Sequence, residues 1–184
     1  MPILTLVFLH ITDDEPCMNR LTAWVSKHPV CHVELGFENN MYFSIMADQT
    51  VILRHRTLEN PMYESVSLQV SDSVYHQCYA DCMDLSRRGI TFDHCGLYGV
   101  LCFKWFPWFS SNPALSDIRA TFCSKIITQL LQKHGVKEVM YLNPSSTSPS
   151  DLLDAVKGSY NNVIFSTRFN RPCFKLHVPI QIQT

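Results

Sequence analysis

The sequence predicts an α+β fold in which an antiparallel sheet packs against a helix that carries a cysteine at its start. Three observations lead there. Short apolar or alternating runs fill residues 2–70. Ile126, Ile127, Leu130 and Leu131 fall on one side of a run with helical spacing that opens at Cys123. Strand-like runs return after Gly158. The order strands, helix, irregular segment, helix, short helix, strands is an α+β order.

Taken along the chain, residues 2–11 read as a buried strand. Residues 13–20 form a polar turn or one turn of helix around Pro16, and Thr22 to Lys27 is a short helical stretch ended by Pro29. Cys31–Phe37 is a strand, Glu38-Asn39-Asn40 a hairpin turn, Met41–Met46 the return strand and Val51–Arg56 a third, so these three make an antiparallel meander. Val66–Val70 alternates and is a fourth strand. Ser71 or Ser73 caps a helix running to about Arg88, with Gly89 as its stop and Val74, Cys78, Cys82 and Leu85 as its buried stripe. Residues 91–118 hold no clear periodic element except a short helix at 94–103.

The Cys123 helix ends before Gly135, and Val139–Leu142 reads as extended. Ser148-Pro149-Ser150-Asp151 is a helix start with an N-cap serine, proline at the first helical position and an acid three residues after the cap. That helix stops at Gly158, and Val163–Arg168 and Phe174–Ile182 close the chain as strands.

The chain of 184 residues is long enough for one domain, 1–184, with a proper core and no staples. Hydrophobic residues make up 46% and charged residues 17%, and the formal net charge is −1 with Lys and Arg spread along the chain. No basic stripe marks a nucleic-acid footprint. No run reaches the 18 or more apolar residues of a membrane span. The apolar start lacks a basic leader and is soon followed by Asp13, Asp14 and Glu15, so it reads as a first strand rather than a signal peptide. The eight cysteines lie at 17, 31, 78, 82, 95, 102, 123 and 173, without framework spacing, and most read as reduced, buried residues of a cytoplasmic protein.

Cys123 stands at a helix N-terminus, where unpaired N–H groups and the helix dipole favour a thiolate; Lys125 nearby would lower the thiol further. Far upstream, His32 lies on a strand with Glu34 two residues on, sharing its face. A polar pair on one face of an apolar strand requires a partner or a cavity. A cysteine at a helix start and a histidine on a strand are what a thiol nucleophile needs.

His-Val-Glu-Leu on an early strand, Phe43-Ser44 on the next, Phe-Cys-Ser opening a helix, and Asn143-Pro144 followed by Pro149, Asp151 and Leu152 together resemble the circularly permuted NlpC/P60-like papain-fold group. That group includes YiiX-like enzymes, poxviral relatives and, more distantly, lecithin:retinol acyltransferase-like enzymes. The resemblance covers roughly residues 28–157, with the histidine before the cysteine as in the permuted order. It implies a permuted papain-like fold and a cysteine-dependent hydrolase or acyltransferase acting on an amide, ester or thioester bond. Cys123 matches the nucleophile and His32 the general base. The third member, expected from the strand after the histidine, is usually His, Glu, Gln or Asn; this chain offers Ser44 there, and Glu34 from the histidine's own strand is the other choice. Against Glu34, residues i and i+2 stand about 7 Å apart along a strand, so contact needs a bend or twist.

The resemblance calls for no cofactor and no metal. The partner it implies is a peptide, protein or lipid-acyl substrate, in the host cytoplasm if the source is viral. The alternative is a catalytically inactive papain-like fold used as a protein- or lipid-binding module through the aromatic cluster at 103–109. Two lesser constellations are Cys78 with Cys82, read as core packing rather than zinc ligands, and Asp93-His94-Cys95, a weaker dyad.

Overall fold

The computed structural model describes residues 1–12, 17–46, 49–58, 62–97, 99, 120–158 and 163–166. Eight strands and four helices are named within them: β1 Ile3–His10, α1 Cys17–Ser26, β2 Val30–Phe37, β3 Met41–Ser44, β4 Ile52–His55, β5 Tyr63–Gln69, α2 Asp72–Arg87, β6 Thr91–Phe92, β7 Ala120–Thr121, α3 Cys123–Lys133, α4 Pro149–Gly158 and β8 Val163–Ser166. Six strands form one antiparallel sheet in the order β4-β3-β2-β1-β5-β8, and β6 and β7 make a separate parallel pair. The α+β class and the β2-β3-β4 meander read from the sequence are both present.

Alternation sets the two faces of the large sheet. Leu6 pairs with Leu35 and Val66, and Phe8 with Val33, so these buried side chains share one face. Phe37, Phe43 and Leu68 join them. Helices α2, α3 and α4 cover that face with Tyr75, Cys78 and Cys82, with Ile126, Ile127, Leu130 and Leu131, and with Leu152, Leu153 and Val156. Each fully buried Leu or Phe contributes about 1.5–3 kcal/mol by leaving water, so this shared cluster is what seats α3 on β2.

The caps are the ones the sequence spells. Ser71 Oγ accepts from the Val74 N–H at 3.3 Å, and Gly89 and Gly135 carry positive φ beyond α2 and α3. At α4 the Ser148 N–H donates to Asp151 Oδ2 at 2.8 Å, and the Asp151 N–H returns to Ser148 Oγ at 3.3 Å, a reciprocal capping box. The β2–β3 turn is a single 3-10 turn with Asn39 and Asn40 in the left-handed region, which asparagine tolerates better than most residues.

Two expectations need correction. The first helix begins at Cys17 rather than at Thr22: Thr22 and Ala23 are buried but Trp24 beside them is exposed, and this breaks the apolar stripe that marks a helix in sequence. Val139–Leu142 is not extended. The carbonyls of Val139 and Leu142 both accept from Gln132 Nε2, at 2.8 and 2.7 Å, and the backbone folds into 3-10 and turn structure against α3. The strand read at Val163–Arg168 is seen as β8, Val163–Ser166, while the strand expected at Phe174–Ile182 and the aromatic cluster 103–109 lie outside the described residues.

Candidate active site

His32 and Glu34 point to the face opposite Val33, Leu35 and Phe37. That face is buried here too: His32 is 6% exposed and Glu34 1%. A buried ionisable pair must find partners, and the neighbouring strands supply them. The β2–β3 register ends at Leu35↔Phe43, so Ser44, one residue on, turns to the face of Glu34. Its Oγ lies 3.0 Å from His32 Nε2.

Glu34 Oε1 stands 3.5 Å from the same Nε2. The two candidates for the third member, one from each strand, therefore meet at a single ring nitrogen. The 7 Å backbone spacing that argued against Glu34 is bridged because both side chains are long enough to lean together along the strand.

Cys123 is the first residue of α3, and its cap position, Phe122, is extended and offers no side-chain hydrogen bond. The first N–H groups of a helix have no partner within it. The Cys123 thiol feels the charge of the His32 side chain and two backbone N–H groups, that of Ser124 in its own helix and that of Val33 in β2. Val33 has this N–H available because β3 has already left β2 at that point. The helix thus rides on the core face while its first residue reaches the exposed ladder edge of β2. Ser124 anchors it, donating through Oγ to the Thr147 carbonyl at 2.7 Å, and both residues are buried. The Asn143-Pro144 segment delivers that carbonyl: Thr147 Oγ1 bonds back to Asn143 O at 2.7 Å.

The electrostatics run in one direction. Burial opposes charge on both partners, but pairing outweighs it. The charge and hydrogen bond of Cys123, with a further contribution from Glu34, raise His32 to about 10. The His32 charge and hydrogen bond, with the Val33 and Ser124 amides, hold the Cys123 thiol below its ordinary value. The favoured state is a thiolate beside an imidazolium. Cys78 and Cys82 behave oppositely: burial in the α2 stripe pushes Cys78 up to about 12 and Cys82 up as well, the reverse of what a thiolate ligand needs.

Lys125 does not take the place beside the sulfur that its sequence position suggests. It is buried, 3.8 Å from Asp93 Oδ2, with its amine 5.9 Å from the centre of the Phe122 ring. Asp93 is tied into its own turn through Gly96 N–H, Cys95 is exposed, and the His94 ring stacks at a tilt on Phe92. Among the described residues no group of three or more His, Cys, Asp or Glu is arranged to hold a metal ion.

Sequence reasoning missed Arg56. Its Nη2 lies 2.9 Å from Glu34 Oε1 and donates to Tyr63 Oη at 2.8 Å. The signal was present: Arg56 ends the predicted third strand, and an arginine is the natural partner of a carboxylate that strand parity places under cover. Thr147 and the Val33 amide left no sequence signal, since both act through the backbone.

The site joins a cysteine at a helix start, a histidine from the neighbouring strand, and a hydroxyl and a carboxylate at the histidine Nε2. No helix among the described residues is long and apolar enough to cross a membrane. No protein-family model matches the chain, and no curated protein matches it.

Proposed function

We propose that the protein is a cysteine-dependent hydrolase or acyltransferase of permuted papain-like architecture, acting on an amide, ester or thioester carbonyl. The observation that carries the reading is the mutually charge-coupled Cys123–His32 pair, with Cys123 the first residue of α3 and Ser44 and Glu34 both on His32 Nε2. Placement at a helix start, a depressed thiol and an oriented base are the three conditions a thiol nucleophile needs.

In this reading the Cys123 thiolate attacks the carbonyl carbon; a C–S bond forms and the π pair moves to oxygen. The Cys123 N–H, first in its helix, is a donor for that oxyanion. As the tetrahedral species collapses, the bond to the leaving amine, alcohol or thiol breaks and His32 delivers its proton. Water or a second acceptor then gives a proton to His32, attacks the acyl thioester and restores the thiolate–imidazolium pair. Ser44 and Glu34 hold the ring through Nε2, so Nδ1 faces the chemistry.

One observation favours a second reading, an inactive fold used to bind: Cys123 and His32 are 5% and 6% exposed, and a nucleophile must be reached. The pH dependence of iodoacetamide labelling, mapped cysteine by cysteine, separates the two. An enzyme labels fast at Cys123 well below pH 8, loses this in His32→Ala, and turns over a member of a panel of activated esters, peptide amides and acyl thioesters that Cys123→Ala does not. Labelling of Cys123 no faster than of the other cysteines, or an active Cys123→Ala variant, sinks the catalytic reading.

A further inference from the structure

We propose that Arg56 is a positioning residue of this site, holding the buried Glu34 carboxylate against the His32 ring and so keeping the Cys123–His32 pair charged. The inference rests on the thiol-enzyme reading and adds to it a group on neither of the two strands that carry the dyad's partners.

Glu34 is almost completely enclosed, and among the described residues its ion-pair contacts to Arg56 and His32 both run through one oxygen. Oε1 is 2.9 Å from Arg56 Nη2 and 3.5 Å from His32 Nε2, while Oε2 has no hydrogen-bond partner. A carboxylate removed from water stays charged and in place only if a countercharge compensates the lost hydration. The His32 charge is already spent on the Cys123 thiolate. Arg56 supplies the remaining one.

Arg56 is itself braced. Its backbone N–H donates to Asn40 O at 3.0 Å, Nη2 donates to Tyr63 Oη at 2.8 Å, and the guanidinium lies 5.8 Å and 5.3 Å from the centres of the Tyr42 and Tyr63 rings. Such contacts are of cation–π length. Gly36 makes room for one of these rings: a Cβ there would come within 2.8 Å of Tyr42 Cε1. Arginine therefore crosses from the end of β4 over β3 to the β2 carboxylate, and ties to the first residue of β5. This many fixed points around one cation are what a constraint on ring orientation needs, and more than a surface ion pair supports.

Without Arg56, the Glu34 carboxylate has an uncompensated charge and leaves the ring or is neutralised. The imidazolium then loses its charged acceptor, and the thiolate loses part of its counterion. The test is the pH profile of Cys123 alkylation in the intact protein, with folding followed by circular dichroism. Arg56→Gln is expected to move the midpoint upward by about one pH unit or more, a tenfold or greater change in thiolate population. Arg56→Lys restores part of the shift, and Arg56→Gln adds nothing further in a Glu34→Gln background. Should Arg56→Gln fold poorly, Tyr63→Phe removes only the hydroxyl that fixes Nη2 and gives a smaller shift in the same direction. A folded Arg56→Gln or Tyr63→Phe protein with the wild-type midpoint, or a lower one, overturns the inference while leaving the dyad intact. A wild-type Cys123 whose midpoint is that of an ordinary thiol overturns the dyad and this inference together.

Discussion

Ser44 Oγ lies 3.0 Å from His32 Nε2, closer than the Glu34 carboxylate at 3.5 Å on the same nitrogen. Distance favours the hydroxyl and charge favours the carboxylate. A hydrogen bond to the charged imidazolium contributes about 1.5–3 kcal/mol, and of the two only Glu34 adds an opposite charge to it. The carboxylate wins on magnitude even with its longer contact. Ser44→Ala should slow Cys123 alkylation at pH 7 by roughly 10-fold, about 1.5 kcal/mol, and Glu34→Gln by more than that. Second-order alkylation rates for the two variants decide the order, and a Ser44→Ala loss equal to or larger than that of Glu34→Gln makes the hydroxyl the principal partner.

The Cys123–His32 pair also sets a pH window for stability. His32 is raised from 6.5 to about 10, so its contribution is complete below 6.5 and is lost as pH rises through its folded value. Cys123 is depressed below 9.0, so its contribution is complete above 9.0 and is lost as pH falls through its own folded value. Wherever the folded thiol is ionised between 6.5 and 9.0, the unfolded chain holds one proton on the thiol, and the folded protein holds one on the imidazole. The counts cancel. The stability difference between wild type and Cys123→Ala should therefore be flat across that interval and shrink on both sides, as measured by denaturant unfolding at a series of pH values. Turnover should fall as pH passes about 10, where His32 no longer has a proton to give. A slope through the interval means that the pair is not in its thiolate–imidazolium form.

Much of this arrangement was legible in the chain, for local reasons. Alternation along Val30–Phe37 placed His32 and Glu34 on one face, the apolar spacing after Cys123 marked its helix, and the Ser-Pro-Ser-Asp cap at 148–151 marked α4. Each signal depends on neighbours within a turn or a strand. What escaped depends on distant groups. Gln132 diverts Val139–Leu142 from an extended path by taking two of its carbonyls, and a propensity reading cannot see a side chain arriving from α3. Lys125 follows Cys123 by two, yet a helix turns residues two apart to different sides, and Asp93 receives it. The choice between Ser44 and Glu34 had no answer because it was not a choice: the β2–β3 register brings both to Nε2.

Ser124 tests how the nucleophile's helix is seated. It is fully buried and its hydroxyl donates to the Thr147 carbonyl at 2.7 Å, tying the first turn of α3 to the segment that leads into α4. Ser124→Ala leaves a buried carbonyl without its donor, a loss of about 1–3 kcal/mol. It also lets the first turn shift relative to β2, where the Cys123 sulfur depends on the Val33 amide. The expected outcome is a lower unfolding midpoint together with slower alkylation of Cys123, whereas Ser148→Ala, which removes the α4 cap and the hydroxyl contact to Ser150, lowers stability by about 1 kcal/mol or more and leaves alkylation unchanged. Equal effects of both variants on alkylation would mean that α3 is seated by its core face alone.

On the other side of β1 from the dyad's strand, Glu64 gives a prediction of opposite pH sense to the alkaline limb of the dyad. It is buried and holds His10 Nε2 at 2.9 Å through Oε2 and Lys157 through Oε1, with His28 and Asp154 nearby in the same field. The contacts join β1 and β5 to α4. Burial alone would raise its carboxyl, but the hydrogen bonds and charges of His10 and Lys157 bring it below its ordinary 4.5. A depressed carboxyl stabilises the fold above its unfolded value, and that contribution is lost as pH falls through the folded one. His28 adds to the same trend: burial lowers it from 6.5, so the folded protein resists its protonation and loses stability as pH drops below that value. Glu64→Gln should therefore be less stable than wild type at pH 7. The loss should be about 3 kcal/mol, the lower end for breaking a buried pair, since Lys157 and His10 are partly exposed. The gap should narrow as pH is lowered through 4.5, and thermal unfolding at pH 7, 5 and 3 measures it. Cys123 alkylation at pH 7 should be unaffected, because the Glu64 cluster touches neither His32 nor Glu34. A gap that stays constant from pH 7 to pH 3 would show that Glu64 stabilises the protein by its packing and not by its charge.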